Sequence, residues 1–411
     1  MINLEMYARI VLLLVPTIIL SNPQVQPMVS GFSCEQIRTQ RTSPSRIYNT
    51  AIKATSEESL SEFKDWCTSQ GIITPLDLRV RNEDDYRYME YSDDKSFTNR
   101  PEKLNNGPIL MVPLKACITG DTPENLSKEL AKERELGDAS FFAPYINVLP
   151  SLESQYLQSM PRLWPAEKLE KTADFDGGQI YSKVQMDKIQ KKDLNLDPWA
   201  DACVTSRANY ILDKGYAMTP ILDFINHDSS SQTSARIIDD DLFLSVGSES
   251  EQGEEVFISY GDLSNIETLC NYGFVSETNK FNTEIVDVKM IRKTPVQVII
   301  DDQSGGSLDL GSLATLRSYL APPEEVDAAL ARNENLSMNT VYTKPISDAS
   351  EEEVYSFIAS FVDEAIYDGT QGIEWAQANT DGLMEIYFTE RVKVLKKGLT
   401  FMQNKFPDLL F

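Results

Sequence analysis

The chain has 411 residues, 41% hydrophobic and 25% charged, ordinary proportions for globular domains. Its 63 Asp and Glu against 38 Lys and Arg give a formal net charge of -25. That field repels phosphate backbones, so nucleic acid is not an expected partner, and cationic protein segments are favoured. A single histidine, His227, argues against His-ligated zinc sites and against catalytic triads, so no metal is expected. Five cysteines, an odd number without a C-x-x-C pair, predict buried reduced thiols rather than a zinc cluster or a disulfide scaffold.

Residues 1 to 20 have the layout of a signal peptide, with the apolar run Ile10 to Leu20 after Arg9. The run is short for a membrane span and contains Pro16, so no stable membrane insertion is expected. Residues 21 to 56 then carry Arg38, Arg41, Arg46 and Lys53 among many Ser and Thr, a transit-peptide composition. Together they resemble the bipartite leader of proteins sent to secondary plastids of algae. The expected location is therefore a plastid, with the secretory pathway as the alternative.

Globular patterning begins near Ser59, where Leu60, Phe63, Lys64 and Cys67 follow helical spacing up to Gly71 and Pro75. Residues 77 to 100 read as charged and irregular. A strand is predicted over Ile109 to Leu114, after the turn Asn105-Asn106-Gly107. Residues 121 to 200 have helical periodicity broken by Pro144, Pro150, Pro161 and Pro165, which predicts a helical insertion. Strands are expected over 236 to 238, 242 to 246 and 255 to 260. A short helix should follow, opened by the capping box Ser264-Asn265-Ile266-Glu267 and closed by Gly273. After strand-like sequence over 284 to 300, the chain turns helical. A capping box at Ser350 to Glu353 precedes a face of Val354, Phe357, Ile358 and Phe361, and a long final helix follows.

Three segments occur in an informative order: Thr205-Ser206-Arg207-Ala208-Asn209, Pro220 to His227 ending in Asp223-Phe224-Ile225-Asn226-His227, and Glu254 to Gly261 running on to Asn271-Tyr272-Gly273-Phe274. Each has a plain structural reading. Asn-His can cap a turn after a buried strand, Tyr260 can pack at a strand end, Tyr272 and Phe274 can pack a helix end, and Arg207 with Asp223 can form a buried ion pair. Taken together, the segments resemble the SET domain of protein methyltransferases, in the branch typified by Rubisco large-subunit methyltransferase. The match is strongest over residues 200 to 275.

The resemblance implies an α+β fold: a SET domain over 57 to 280, built of small β-sheets with a threaded, pseudoknot-like C-terminal segment and with the insertion at about 121 to 200. A mainly helical substrate-binding domain would follow over 281 to 411. It also implies S-adenosylmethionine as cofactor and a protein substrate presenting a lysine. By the same resemblance Tyr260 is the catalytic residue, Asn226, His227, Arg207 and Phe274 contact the cofactor, and Asp223 and Tyr272 contact the substrate. Methyl transfer needs a neutral amine, and deprotonating a free lysine at neutral pH costs roughly 4–5 kcal/mol unless the site lowers its pKa. The implied activity is protein-lysine N-methylation of a non-histone protein, with plastid proteins among the candidates. Protein-histidine N-methylation and a non-catalytic protein-binding module are the alternatives. The sequence departs from the family in having no Gly-x-Gly pair between Gly71 and Gly120, which leaves one wall of the cofactor site unassigned.

Overall fold

In a computed structural model the described residues are 56–81, 86–92, 110–211, 214–238, 241–246, 252–289, 295–333 and 335–407. The signal-peptide and transit-peptide expectations fall outside them, apart from Ser56. That serine caps the first helix, Glu57–Ser69, its hydroxyl accepting from the Ser59 N–H, while Glu57 and Glu58 complement the positive end of the helix dipole. Phe63, Trp66 and Cys67, spaced at i, i+3 and i+4, bury the inner face.

The segment read as irregular forms a hairpin instead. Strands Leu76–Arg81 and Tyr86–Tyr91 pair antiparallel with Leu76 opposite Tyr91. Leu76 and Leu78 point into the core, while Arg79 pairs with Glu90 at 3.2 Å and Lys64 with Asp77 at 2.7 Å on the outer face. The outward charges hide the twofold alternation that marks a half-buried strand. Strand Leu110–Pro113 joins Thr233–Ile238 and Asp241–Val246 in a three-stranded antiparallel sheet. Ile118–Gly120, Gly215–Met218 and Asn209–Ile211 form a second such sheet. Between them runs the expected helical insertion, with helices Pro123–Glu135, Ala143–Ile146, Gln155–Gln158, Ala166–Asp176, Gln179–Lys191 and Pro198–Arg207. Its prolines punctuate rather than break helices: Pro123, Pro144 and Pro198 occupy first turns, where a missing N–H costs nothing.

Asn226–His227 pairs in parallel with Phe257–Ile258. This replaces the longer strand expected over 255 to 260, because a two-residue partner leaves only two residues to pair. The capping box at Ser264 and Glu267 and the left-handed Gly273 bound helix Asn265–Tyr272 as predicted. Thr283–Val288, Val296–Asp301 and Ser307–Leu308 then form an antiparallel sheet. It packs on helices Leu310–Leu320, Asp348–Ala378 and Gly382–Lys405 around Val298, Ile300, Leu316, Ile358, Val362 and Leu395.

The 31-residue helix Asp348–Ala378 starts three residues earlier than the sequence suggests. Ser347 is its cap, accepting from the Ser350 N–H at 3.0 Å. Ser350, expected to cap the helix together with Glu353, lies inside the first turn instead, and Glu351 beside it is buried and bound to Arg317, with Nη2 to Oε2 at 2.9 Å. A separate apolar cluster binds the two halves: Leu169, Phe175 and Ile180 of the insertion, Ile266 and Leu269, and Ala376, Met384, Tyr387 and Phe388 of the last two helices. None of the helices among the described residues is long and apolar enough to cross a membrane.

Candidate active site

The parallel pairing of Asn226–His227 with Phe257–Ile258 sets the site, because it brings residues some thirty positions apart to neighbouring backbone registers. His227 Nδ1 accepts from the Tyr260 N–H at 3.0 Å, which leaves the ring proton on Nε2. Tyr260 donates its hydroxyl to the Ile225 carbonyl at 2.8 Å. The short helix then returns Tyr272 and Phe274 to the same place. Ring centroids lie 5.1 Å apart for His227–Tyr260, 4.8 Å for Tyr260–Tyr272, 6.1 Å for Tyr272–Phe274 and 5.9 Å for Phe274–His227. Four of the residues implied by the resemblance thus close a ring of aromatic groups, each contact within the range of favourable ring pairing.

Gly273 makes this return possible. Its φ is +78°, and a Cβ there would lie 3.1 Å from Met160, Ser159 and the Tyr156 carbonyl. Close packing on that segment also places Tyr156, whose ring lies 5.0 Å from the Arg207 guanidinium. Burial holds the Tyr260 phenol well above its usual pKa, reinforced by neighbouring Tyr156 and Tyr272. Burial likewise pushes Tyr272 up to about 12, with smaller contributions from Tyr156 and Glu267. Both are neutral hydrogen-bonding groups at physiological pH. Burial lowers the pKa of His227, against the smaller opposing pull of Asp228, so the imidazole is uncharged.

Asn226 stands at the edge of the ring, its amide nitrogen donating to the Arg87 carbonyl at 2.9 Å and to Glu255 Oε1 at 2.8 Å. The N-terminal hairpin therefore packs directly against Asn226. Backbone bonds from Tyr91 to Glu254 and from Val256 to Met89 tie it to the strand before Tyr260.

Arg207 and Asp223 lie deeper. Arg207 donates through Nη1 to the Asp223 backbone carbonyl at 2.6 Å, and the Asp223 carboxylate accepts from the Tyr145 hydroxyl. Arg207 Nε and Asp223 Oδ1 are buried and have no hydrogen-bond partner among the described residues. The segment is entered through Ile221, whose φ of +73° is a left-handed conformation costly for a β-branched side chain, on the order of 1–3 kcal/mol. The surrounding packing must hold it there.

Burial raises the Asp223 carboxyl to about 7, against the opposing pull of Arg207 and Tyr145. The folded chain then holds a proton that the unfolded chain releases near pH 4, so this group's contribution to stability is present at pH 4 and lost as pH rises to 7. Relative to Asp223→Asn, the wild type should lose stability on the order of a few kcal/mol between pH 4 and pH 8 in denaturant titrations. A constant difference across that range would refute the assignment.

Tyr145, Tyr156, Tyr86 and Glu255 were not identifiable from sequence as site residues. Tyr145 and Tyr156 lie in the stretch read only as a helical insertion and Tyr86 in the one read as irregular, so only the position of Glu255 inside the third motif offered a signal. Among the described residues the four cysteines are free and buried, and burial pushes Cys117, Cys203 and Cys270 up to about 12. No group of three or more His, Cys, Asp or Glu among the described residues is arranged to hold a metal.

These features define a SET-domain fold with a helical insertion and a helical C-terminal part, in the arrangement of Rubisco LSMT. The SET domain of LSMT bound to lysine and AdoHcy matches with a TM-score of 0.61 at 19% identity, covering 87% of this chain and 93% of that one. Rubisco LSMT bound to AdoMet matches with a TM-score of 0.61 at 20% identity, covering 85% and 93%. No family model matches the chain. Among curated proteins, Protein SET DOMAIN GROUP 40 of Arabidopsis thaliana is 21% identical over 252 residues, 50% of each chain. The actin-histidine N-methyltransferase of Xenopus tropicalis is 29% identical over 163 residues, 34% of this chain and 28% of its own. SET domain-containing protein 4 of Homo sapiens is 27% identical over 180 residues, 36% of this chain and 40% of its own. The chain thus spans half or less of the length of these curated relatives.

Proposed function

We propose that this protein transfers a methyl group from S-adenosylmethionine to a side-chain nitrogen of another protein, lysine being the substrate side chain we favour. The observation that carries the reading is the closed ring of His227, Tyr260, Tyr272 and Phe274 beside Asn226. Rings from two motifs, with a polar amide at their edge, suit a ligand that joins a flat base to a charged amino-acid end. Their faces also favour a cation over an anion. The donor set fits the cofactor, and when bound it would supply a methyl group activated by a neighbouring sulfonium.

The remaining work falls to the chain. His227 and Phe274 would flank the base, and Asn226 would hold the amino-acid end. Tyr260, with its proton committed to Ile225, presents an oxygen lone pair that can accept from the incoming amine and align it. The apolar surroundings would lower the amine's pKa and make its neutral form accessible. Arg207 and Asp223, beneath this surface, would act on its geometry from below.

Asn226→Ala should weaken S-adenosylmethionine binding by about tenfold or more in calorimetric titration, from the loss of its polar contact and of the brace to the hairpin. Wild-type affinity in that variant would refute the placement of the cofactor. Mass spectrometry of a modified partner decides the acceptor: methyl-lysine supports the favoured reading. Methyl-histidine would replace it with the reading suggested by the similarity to the actin-histidine enzyme. Partner binding without any methyl incorporation would leave a non-catalytic binding module.

A further inference from the structure

Resting on the cofactor reading above, we infer that Glu255 is a direct ligand of the cofactor's α-ammonium, acting with Asn226 in place of the missing glycine loop. The case begins with the donors already committed. Both amide protons of Asn226 are used, one on the Arg87 carbonyl and one on Glu255 Oε1. What Asn226 offers a ligand is therefore its Oδ1, an acceptor.

Glu255 is in the same condition. Its Oε1 takes bonds from Asn226 and from the Tyr86 hydroxyl, each at 2.8 Å. Its Oε2 has no hydrogen-bond partner among the described residues, and the side chain is half-exposed. Val256, the next residue, is buried in the core, so the alternation of the chain turns Glu255 to the opposite side, toward Asn226. Tyr86 steadies the carboxylate from the hairpin and is itself covered by the Arg81 guanidinium, 4.8 Å from its ring.

Among the described residues the site thus presents two acceptors without a partner, one of them anionic, on residues held by neighbours. The amino-acid end of the cofactor carries one group with three N–H donors and a positive charge, its ammonium, and one acceptor-only group, its carboxylate. Two acceptors select the ammonium and repel the carboxylate. The assignment fixes the direction in which that end lies.

The test compares two ligands by calorimetry on the intact chain: S-adenosylmethionine, and 5′-methylthioadenosine, which keeps the base and sulfur but lacks the amino-acid end. Glu255→Gln keeps an acceptor for Asn226 and Tyr86 while removing the charge. It should weaken S-adenosylmethionine by roughly tenfold or more and leave 5′-methylthioadenosine unchanged. Unchanged affinity for both ligands, or an equal loss for both, would overturn the assignment; equal loss would mark Glu255 as a brace only. If Glu255→Gln does not fold, Glu255→Asp decides, since the shortened stem should cost affinity for S-adenosylmethionine alone. A wild-type chain that bound neither ligand would remove the cofactor reading and this assignment together, whereas wild-type binding with an insensitive Glu255 removes only the second.

Discussion

Tyr260→Phe is expected to reduce methyl incorporation about a hundredfold while S-adenosylmethionine affinity stays within about threefold of wild type, because in-line transfer depends steeply on alignment. The substitution keeps the ring, and with it the contacts to His227 at 5.1 Å and Tyr272 at 4.8 Å. It removes one atom, the hydroxyl oxygen that donates to the Ile225 carbonyl at 2.8 Å and can also accept a hydrogen bond. Since burial keeps the phenol protonated, the loss should be the same from pH 7 to pH 9. A variant that lost its activity only at high pH would point to a phenolate base. Unchanged turnover would take Tyr260 out of the mechanism altogether.

Arg391→Met is expected to be the most destabilising single change, about 3–5 kcal/mol in denaturant unfolding. Arg391 is buried against Glu284 through a short hydrogen bond, with buried Asp176 nearby. Removing the cation leaves two buried carboxylates without a counter-charge. Both acids already have raised pKa values, chiefly from burial. They should therefore take up protons in the variant, and its deficit should be smaller at pH 5 than at pH 8. Adding Glu284→Gln should recover a large part of the loss, since one of the stranded charges is then gone. A deficit below about 1 kcal/mol would mean that water reaches the cluster. The position matters because Asp176 ends an insertion helix, Glu284 opens the C-terminal sheet and Arg391 lies on the final helix.

Much of the local structure was legible. The box at Ser264 to Glu267 and the glycine at 273 mark a helix whose ends are fixed by capping chemistry within a few residues. The hairpin of residues 76 to 91 was missed because its outward positions carry Asp77, Arg79, Arg81 and Glu90, so its charge obscured its alternation. The start of the Asp348–Ala378 helix was misplaced because Ser350 with Glu353 fits a capping box by sequence, whereas Ser347 caps the helix and Ser350 is buried in its first turn.

By itself, the sequence determined the residue types of the site and their order along the chain. Asn226-His227, Tyr260, Tyr272 and Phe274 could be named because each lies in a short motif whose local conformation is set by near neighbours. Only the tertiary structure decided what surrounds them. Glu255 faces Asn226 because a hairpin some 170 residues earlier braces it through Tyr86. Asp223 is raised because the core encloses it, which outweighs the opposing pull of Arg207 and Tyr145. Such contacts depend on which elements meet across the fold, and the burial that shifts a pKa or orients a carboxylate belongs to the assembled packing.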